Sequence, residues 1–251
     1  MSNIKIDKRI VGGCYVDSTN KYPFMATMWY LDGDSYKFKS GAVFLGKRYF
    51  MTAAHCVRNR NIEMMLVRLG HTCLRNLPYT FKVKKIYTHP GYTGKDMKND
   101  IAILEIDEDL NRDGVRLPCD HLKNVCYNYG HSVKVLGYGK DCEYSSQEHL
   151  FDLKEVDLKV IPLEESKYHR KMVTNEMFLA SNNVNGKIVD ACTGDSGGPC
   201  IKWIKNEWVL VGIVSWGSGC GQRNLPGVYT KVLPYHNWVR GICKFGGCGK
   251  H

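Results

Sequence analysis

The chain has 251 residues, 43% of them hydrophobic and 24% charged, enough to bury a full core, which excludes disordered and fibrous classes. No apolar run approaches the ~18 residues of a membrane helix, so no membrane partner is expected. Thirty-five Lys and Arg against 25 Asp and Glu give a formal charge of +10. The excess is spread from Lys82, Lys84 and Lys85 through Arg170 and Lys171 to Arg240 and Lys244, which predicts a solvated basic surface with weak polyanion attraction rather than a nucleic-acid reader.

In chain order, Met1 to Arg9 is polar and charged and lacks the apolar stretch of a signal peptide, so the chain reads either as a processed or recombinant product or as one not exported by that route. Short apolar runs then alternate with turn residues, as in Ala42 to Leu45, a turn at Gly46-Lys47-Arg48, and Tyr49 to Ala54. Alternation at Phe81 to Lys84 and Glu155 to Val160 predicts strands with one solvated face. The polar segment from Arg112 to His131 is the most linker-like, and Trp208 to Trp216 is the longest apolar run, interrupted by Gly212. After Pro234, the residues Tyr235, Trp238, Val239 and Ile242 fall at i, i+3, i+4 and i+7, predicting one terminal helix. No internal repeat or heptad is present, and the chain reads as all-β.

Eleven cysteines, with no CxxC pair, point to disulfides rather than a zinc site, and the odd count leaves at least one thiol free or intermolecular.

The chemistry gathers at Thr193-Gly194-Asp195-Ser196-Gly197-Gly198-Pro199. Glycines flanking a serine let the backbone turn tightly and bring amide N–H groups close to a reacting carbonyl. The same string fits the G-x-S-x-G elbow of an α/β-hydrolase, but the alternating helices of that fold are missing. A serine nucleophile needs a base. Of nine histidines, His55 stands apart in Met51-Thr52-Ala53-Ala54-His55-Cys56, at the end of an apolar strand with small neighbours. A third group must fix its tautomer, and Asp100 opens the apolar run Ile101-Ala102-Ile103-Leu104, where a buried carboxylate needs a partner.

With TAAHC, NDIAIL and GDSGGP in that order, the chain resembles the trypsin-like, chymotrypsin-fold serine proteases from Ile10 to about Cys243. The resemblance implies two packed antiparallel β-barrels with the active site between them. Residues 10–120 would form the first barrel, 121–233 the second and 234–251 the C-terminal helix and tail, with 1–9 an activation propeptide or N-terminal extension. It implies Ser196 as nucleophile, His55 as general base and acid, Asp100 as the group that orients His55, and the N–H groups of Gly194 and Ser196 as the oxyanion hole. Ser215 would support the buried aspartate, while Trp216 and Gly217 would pair with bound peptide. Asp190 would be the acid at the bottom of the primary pocket, with Gly217 and Gly227 as its walls, selecting Arg or Lys before the scissile bond. Ala191 stands where many trypsins carry a serine that helps bind Lys, so Arg is expected to be preferred. Lys8-Arg9-Ile10-Val11-Gly12-Gly13 resembles a zymogen activation site, in which cleavage after Arg9 frees the Ile10 amine to pair with Asp195 and bias the oxyanion loop. Self-activation follows as an expectation, because Arg9 matches the enzyme's own preference.

Several features depart from the family. Cys192 and Cys220 match the disulfide that braces the pocket, but Ser40 stands where the family has the cysteine that pairs with the one matching Cys56. Val133, Lys202, Ser166 and Leu179 occupy other customary half-cystine positions. New pairings in an oxidising, secreted or extracellular setting are preferred over a reducing, intracellular one. The loop from His71 to Tyr79 lacks any acid, so no calcium is expected there, and His71 with Cys73 is too sparse a set for zinc. No cofactor is expected. Protein or peptide substrates with Arg or Lys, and protein inhibitors, are the implied partners of a monomer. The alternative is a non-catalytic relative that binds polyanions through its basic surface.

Overall fold

The computed structural model describes residues 13–139, 152–192 and 194–244. After a short β1 (Cys14–Tyr15), the strands β2 (Met25–Asp32), β3 (Ser35–Thr52), β4 (Met65–Leu69), β5 (Tyr79–Thr88) and β6 (Ala102–Leu110) form the first half, with a one-turn helix α1 (Ala54–Val57) after β3. Strands β2 to β6 close into an antiparallel barrel in the order β2-β3-β6-β5-β4. Pairing of Asp32 with Ser35 leaves Gly33-Asp34 as a two-residue hairpin loop, with Gly33 at φ +63°, the conformation such a loop needs at its first position. Inward residues fill the barrel, among them Met28, Phe44, Phe50, Val67 and Ile103, all fully buried.

The turn expected at Gly46-Lys47-Arg48 is instead an irregularity inside one long strand. Gly46 (φ +110°) and Lys47 (φ +52°) carry positive φ, and the register against β6 shifts between Lys47 and Tyr49, as in a bulge. The two apolar runs do not pair with each other. Ala42 and Val43 pair with β2 and Phe50 and Met51 with β6, so the strand turns a barrel corner and serves both neighbours.

The second half contains β7 (Ser132–Gly137), β8 (Lys154–Ile161), β9 (Met177–Val184), β10 (Lys187–Val189), β11 (Pro199–Ile204), β12 (Glu207–Trp216) and β13 (Gly227–Lys231). The order β8-β7-β11-β12-β13-β9, closed by pairing of β8 with β9, makes the second barrel. Its core holds Val135, Leu158, Val211 and Tyr229, with Phe178 and Tyr229 stacked at 5.2 Å. Gly212 interrupts its apolar run for a steric reason: a Cβ there would lie 2.6 Å from the Phe178 ring. One boundary differs from expectation. β1, in the segment expected to belong to the first barrel, pairs Cys14 with Glu155 on β8 of the second.

The linker-like segment straps the barrels together. Val115 donates to the Phe44 carbonyl in the first barrel (3.0 Å), and Leu210 in the second donates to Arg116 O (2.8 Å); a single helical turn, α2 (Lys123–Cys126), follows. The terminal helix α3 (His236–Cys243) buries Val239 and Cys243 and returns to the first barrel, where Trp238 meets His89 edge-on at 5.1 Å. No helix among the described residues is long and apolar enough to cross a membrane.

Candidate active site

His55 sits in α1, whose Ala54 and Val57 are buried against the first barrel. This anchoring leaves the imidazole side chain 27% exposed at the seam between the barrels. Asp100 precedes β6 and is fully buried. Its Oδ1 accepts the His55 backbone N–H at 2.8 Å, and its Oδ2 accepts His55 Nδ1–H at 2.7 Å and the Ser215 hydroxyl at 2.5 Å. Thr230 Oγ1, from β13, donates to the Asp100 carbonyl at 3.1 Å. The carboxylate thus has three donors from two barrels, which is what a buried charge requires. With Nδ1–H committed to Asp100, the neutral ring presents a lone pair at Nε2. Burial of the imidazole disfavours its charged form, but the hydrogen bonds to Asp100 and Cys56 outweigh it and raise the His55 pKa above the ordinary histidine value.

Ser196 lies in the loop between β10 and β11. Gly41 on β3 donates to the Ser196 carbonyl at 2.9 Å, Gly197 donates to Val214 O at 2.8 Å, and Gly198 donates to Asp195 O at 2.8 Å. The loop is therefore pinned to both barrels through its backbone. Gly194 (φ +100°) and Gly197 (φ +76°) take positive φ, which side chains resist. A Cβ on Gly197 would also stand 2.1 Å from Thr52 Oγ1 and 2.6 Å from Gly41 O. Gly197→Ala is expected to cost at least ~2 kcal/mol through αL strain and overpacking, lowering Tm by roughly 4 °C or more. An unchanged Tm in thermal unfolding would contradict that packing.

Asp195, next to the serine, points away from it into the protein. It is fully buried, and its Oδ1 accepts from Gly139 N (2.7 Å) and its Oδ2 from Cys192 N (2.8 Å). Gly137 and Gly139 make room for it, since a Cβ at either would fall within 2.5 Å of Oδ1. Arg9 and Ile10, the other members of the expected activation device, lie outside the described residues.

A cavity of about 410 Å³ joins these groups, lined by His55, Ser196, Asp190, Ala191, Ser215, Trp216, Gly217 and Gly227 among others. Asp190, at 1% exposure, accepts from the Ala191 N–H at 2.8 Å. Burial, helped by the nearby Asp195 charge, pushes its pKa well above the usual carboxylate range. A side chain on Gly227 would meet Asp190 Oδ1 at 2.6 Å, so the missing Cβ keeps the slot open. The Cys192–Cys220 disulfide is formed and borders the same cavity; Cys119 is also disulfide-bonded.

The structure adds residues that the sequence patterns do not single out. Met97, at φ +55° in the loop between β5 and β6, lines the cavity together with Val214 and Gly219, and Tyr168 meets Trp216 edge-on at 5.0 Å. The buried Tyr229 hydroxyl lies against the Gly227 position at the base of the slot. No local pattern marks these residues, because long-range packing brings them to the site. Among the described residues no group of three or more His, Cys, Asp or Glu gathers as a metal site.

Known proteins share this sequence pattern. The family model described as Trypsin matches residues 10–239. The chain is 34% identical over 250 residues to tissue-type plasminogen activator of Sus scrofa, covering 92% of this chain and 44% of that protein. It is 32% identical to vitamin K-dependent protein C of Mus musculus, covering 93% of this chain and 51% of that one. It is 29% identical to CLIP domain-containing serine protease B4 of Anopheles gambiae, covering 94% and 71%. The chain thus spans about half the length of the first two relatives.

Proposed function

The chain belongs to the trypsin family of serine proteases, and on that premise we propose that it is an endopeptidase cleaving after Arg, and less readily after Lys, through an acyl-enzyme. The observation that carries the reading is the buried Asp100 holding His55 by ring and backbone at a cavity that also holds Ser196 and Asp190. In this reading His55 Nε2 takes the Ser196 proton as Oγ attacks the scissile carbonyl, then returns it to the leaving amine. Asp100 stabilises the imidazolium, and the N–H groups of Gly194 and Ser196 receive the oxyanion. Trp216 and Gly217 align the peptide, and Asp190 pairs with the cationic side chain. Ala191 offers no hydroxyl to a Lys ammonium, whereas a guanidinium bridges the carboxylate in bidentate fashion.

Cleavage between Arg9 and Ile10 would free an amine for Asp195, whose two backbone donors already hold its carboxylate beneath the serine loop. The Cys192–Cys220 disulfide supports an oxidising, extracellular setting. The test is hydrolysis of peptide amides ending in Arg, Lys or Phe by chain cleaved after Arg9. Turnover in the order Arg, Lys, then little or no Phe supports the reading; no turnover by folded, cleaved chain would overturn it.

The pH profile follows from the site. His55 must be neutral to accept a proton, and its pKa is raised; Asp190 must be ionised to bind a cation, and its pKa is raised too. Both shifts act in the same direction. kcat/KM for an Arg substrate is expected to climb with pH, with a half-maximum above the ordinary histidine value of about 6.5. A profile already flat by pH 6 would contradict this.

A further inference from the structure

We propose that Cys56 is a thiol-modification site acting on the imidazole of His55: a low-molecular-weight disulfide forms a mixed disulfide there and switches the enzyme off. The inference rests on the reading of His55 as general base. Cys56 is unpaired and partly exposed, and its Sγ lies 3.4 Å from His55 Nε2. That nitrogen is the acceptor left free when Nδ1–H is held by Asp100 at 2.7 Å. The nitrogen that the reaction requires for the Ser196 proton thus already has a thiol from the next residue beside it, and Ser196 lines the same cavity. Thiol, imidazole and carboxylate form a chain of three groups of the kind that generates a reactive thiolate.

The other described free thiols are differently placed. Cys126, Cys200 and Cys243 are buried, and burial pushes their thiol pKa values up, that of Cys126 to about 11. Cys73 is partly exposed like Cys56, but His71 Nδ1 beside it accepts the Cys73 backbone N–H at 2.9 Å; Cys14 is exposed and serves as an internal reference.

The chemistry is thiol–disulfide exchange. Cys56 gives its proton to His55 Nε2, and its thiolate attacks one sulfur of the disulfide. The new S–S bond forms as the old one breaks, and the departing thiolate takes the proton from the imidazolium. The Cys56 sulfur is oxidised, and the expelled sulfur is reduced. The product has a bulky group beside the nitrogen that must reach Ser196, and displacing a reacting group by about an ångström costs on the order of 10²-fold in rate.

The probe is oxidised glutathione, applied to chain cleaved after Arg9, with labelling followed by intact mass and peptide mapping and activity followed on an Arg amide. Because an imidazole stands 3.4 Å from its sulfur to take the proton, Cys56 should label about tenfold or more faster than Cys14. Labelling should cost roughly 10²-fold in kcat/KM, and reduced glutathione should restore it. Cys56→Ala should show the same rate with and without the probe, and His55→Ala should slow labelling at Cys56 but not at Cys14. The proposal is overturned if Cys56 labels no faster than Cys14, if labelling leaves turnover intact, if Cys56→Ala is inhibited equally, or if His55→Ala labels Cys56 at the parental rate. Should Cys56→Ala fail to fold, site-resolved labelling of the parental chain against Cys14 decides alone. Absence of all hydrolysis in untreated chain would defeat the protease reading instead, while the mass data would still judge the thiol–imidazole pair.

Discussion

Asp190→Ser is expected to lower kcat/KM for Arg substrates by roughly 10²–10⁴-fold while leaving slow Phe-substrate hydrolysis within a few-fold. The estimate comes from charge burial: removing one partner of a buried ion pair costs about 3–5 kcal/mol, and each 1.4 kcal/mol is tenfold. Asp190 is almost fully enclosed, and the slot above it is kept clear by Gly227. Burial raises the pKa of the carboxyl group, so an arriving guanidinium supplies the charge that favours the ionised form. A serine there leaves the guanidinium desolvated with no counter-charge. Steady-state kinetics on paired Arg and Phe amides check this. Loss of both substrates equally would mean that the substitution damaged the serine loop and not the specificity of the pocket.

Asp100→Asn is expected to reduce kcat by about 10⁴-fold with KM changed little, which is the scale of the same change in the chymotrypsin-type triad. The physical reason is the direction of the hydrogen bonds. Asp100 Oδ2 accepts both His55 Nδ1–H and the Ser215 hydroxyl, and an amide NH₂ at that place offers donors where an acceptor is needed. The ring then turns its lone pair toward the new amide and its N–H toward Ser196, the wrong tautomer for a base. A fall of less than tenfold in kcat would contradict the role assigned to this contact.

Much of this site was legible because its chemistry is carried by short strings. Ser196 among glycines, His55 after small residues and Asp100 before an apolar strand each raised a local question that only the other two answer. The all-β fold was legible in the same way, from alternation such as that over Glu155 to Val160, which became β8 with alternating burial. What was not legible depends on which surfaces meet. Gly46-Lys47-Arg48 has the composition of a turn, but the neighbours of β3 on either side keep the strand running through it. Nothing near Cys14 signals that β1 joins the second barrel. Met97 reaches the cavity from a loop with no apolar periodicity, and the Cys56 to His55 contact depends on the one-turn geometry of α1. The closure of the second barrel by β8 and β9 is likewise a long-range pairing that no window of residues contains.

In the proposed reaction Ser196, activated by His55, becomes acylated. The most direct measurement of this step is mass spectrometry of chain cleaved after Arg9 and quenched during turnover of an Arg ester, with peptide mapping of the acyl group. One acyl group is expected on Ser196, absent in Ser196→Ala and in uncleaved chain. Turnover with the acyl group on any other residue, or its undiminished appearance in Ser196→Ala, would contradict it.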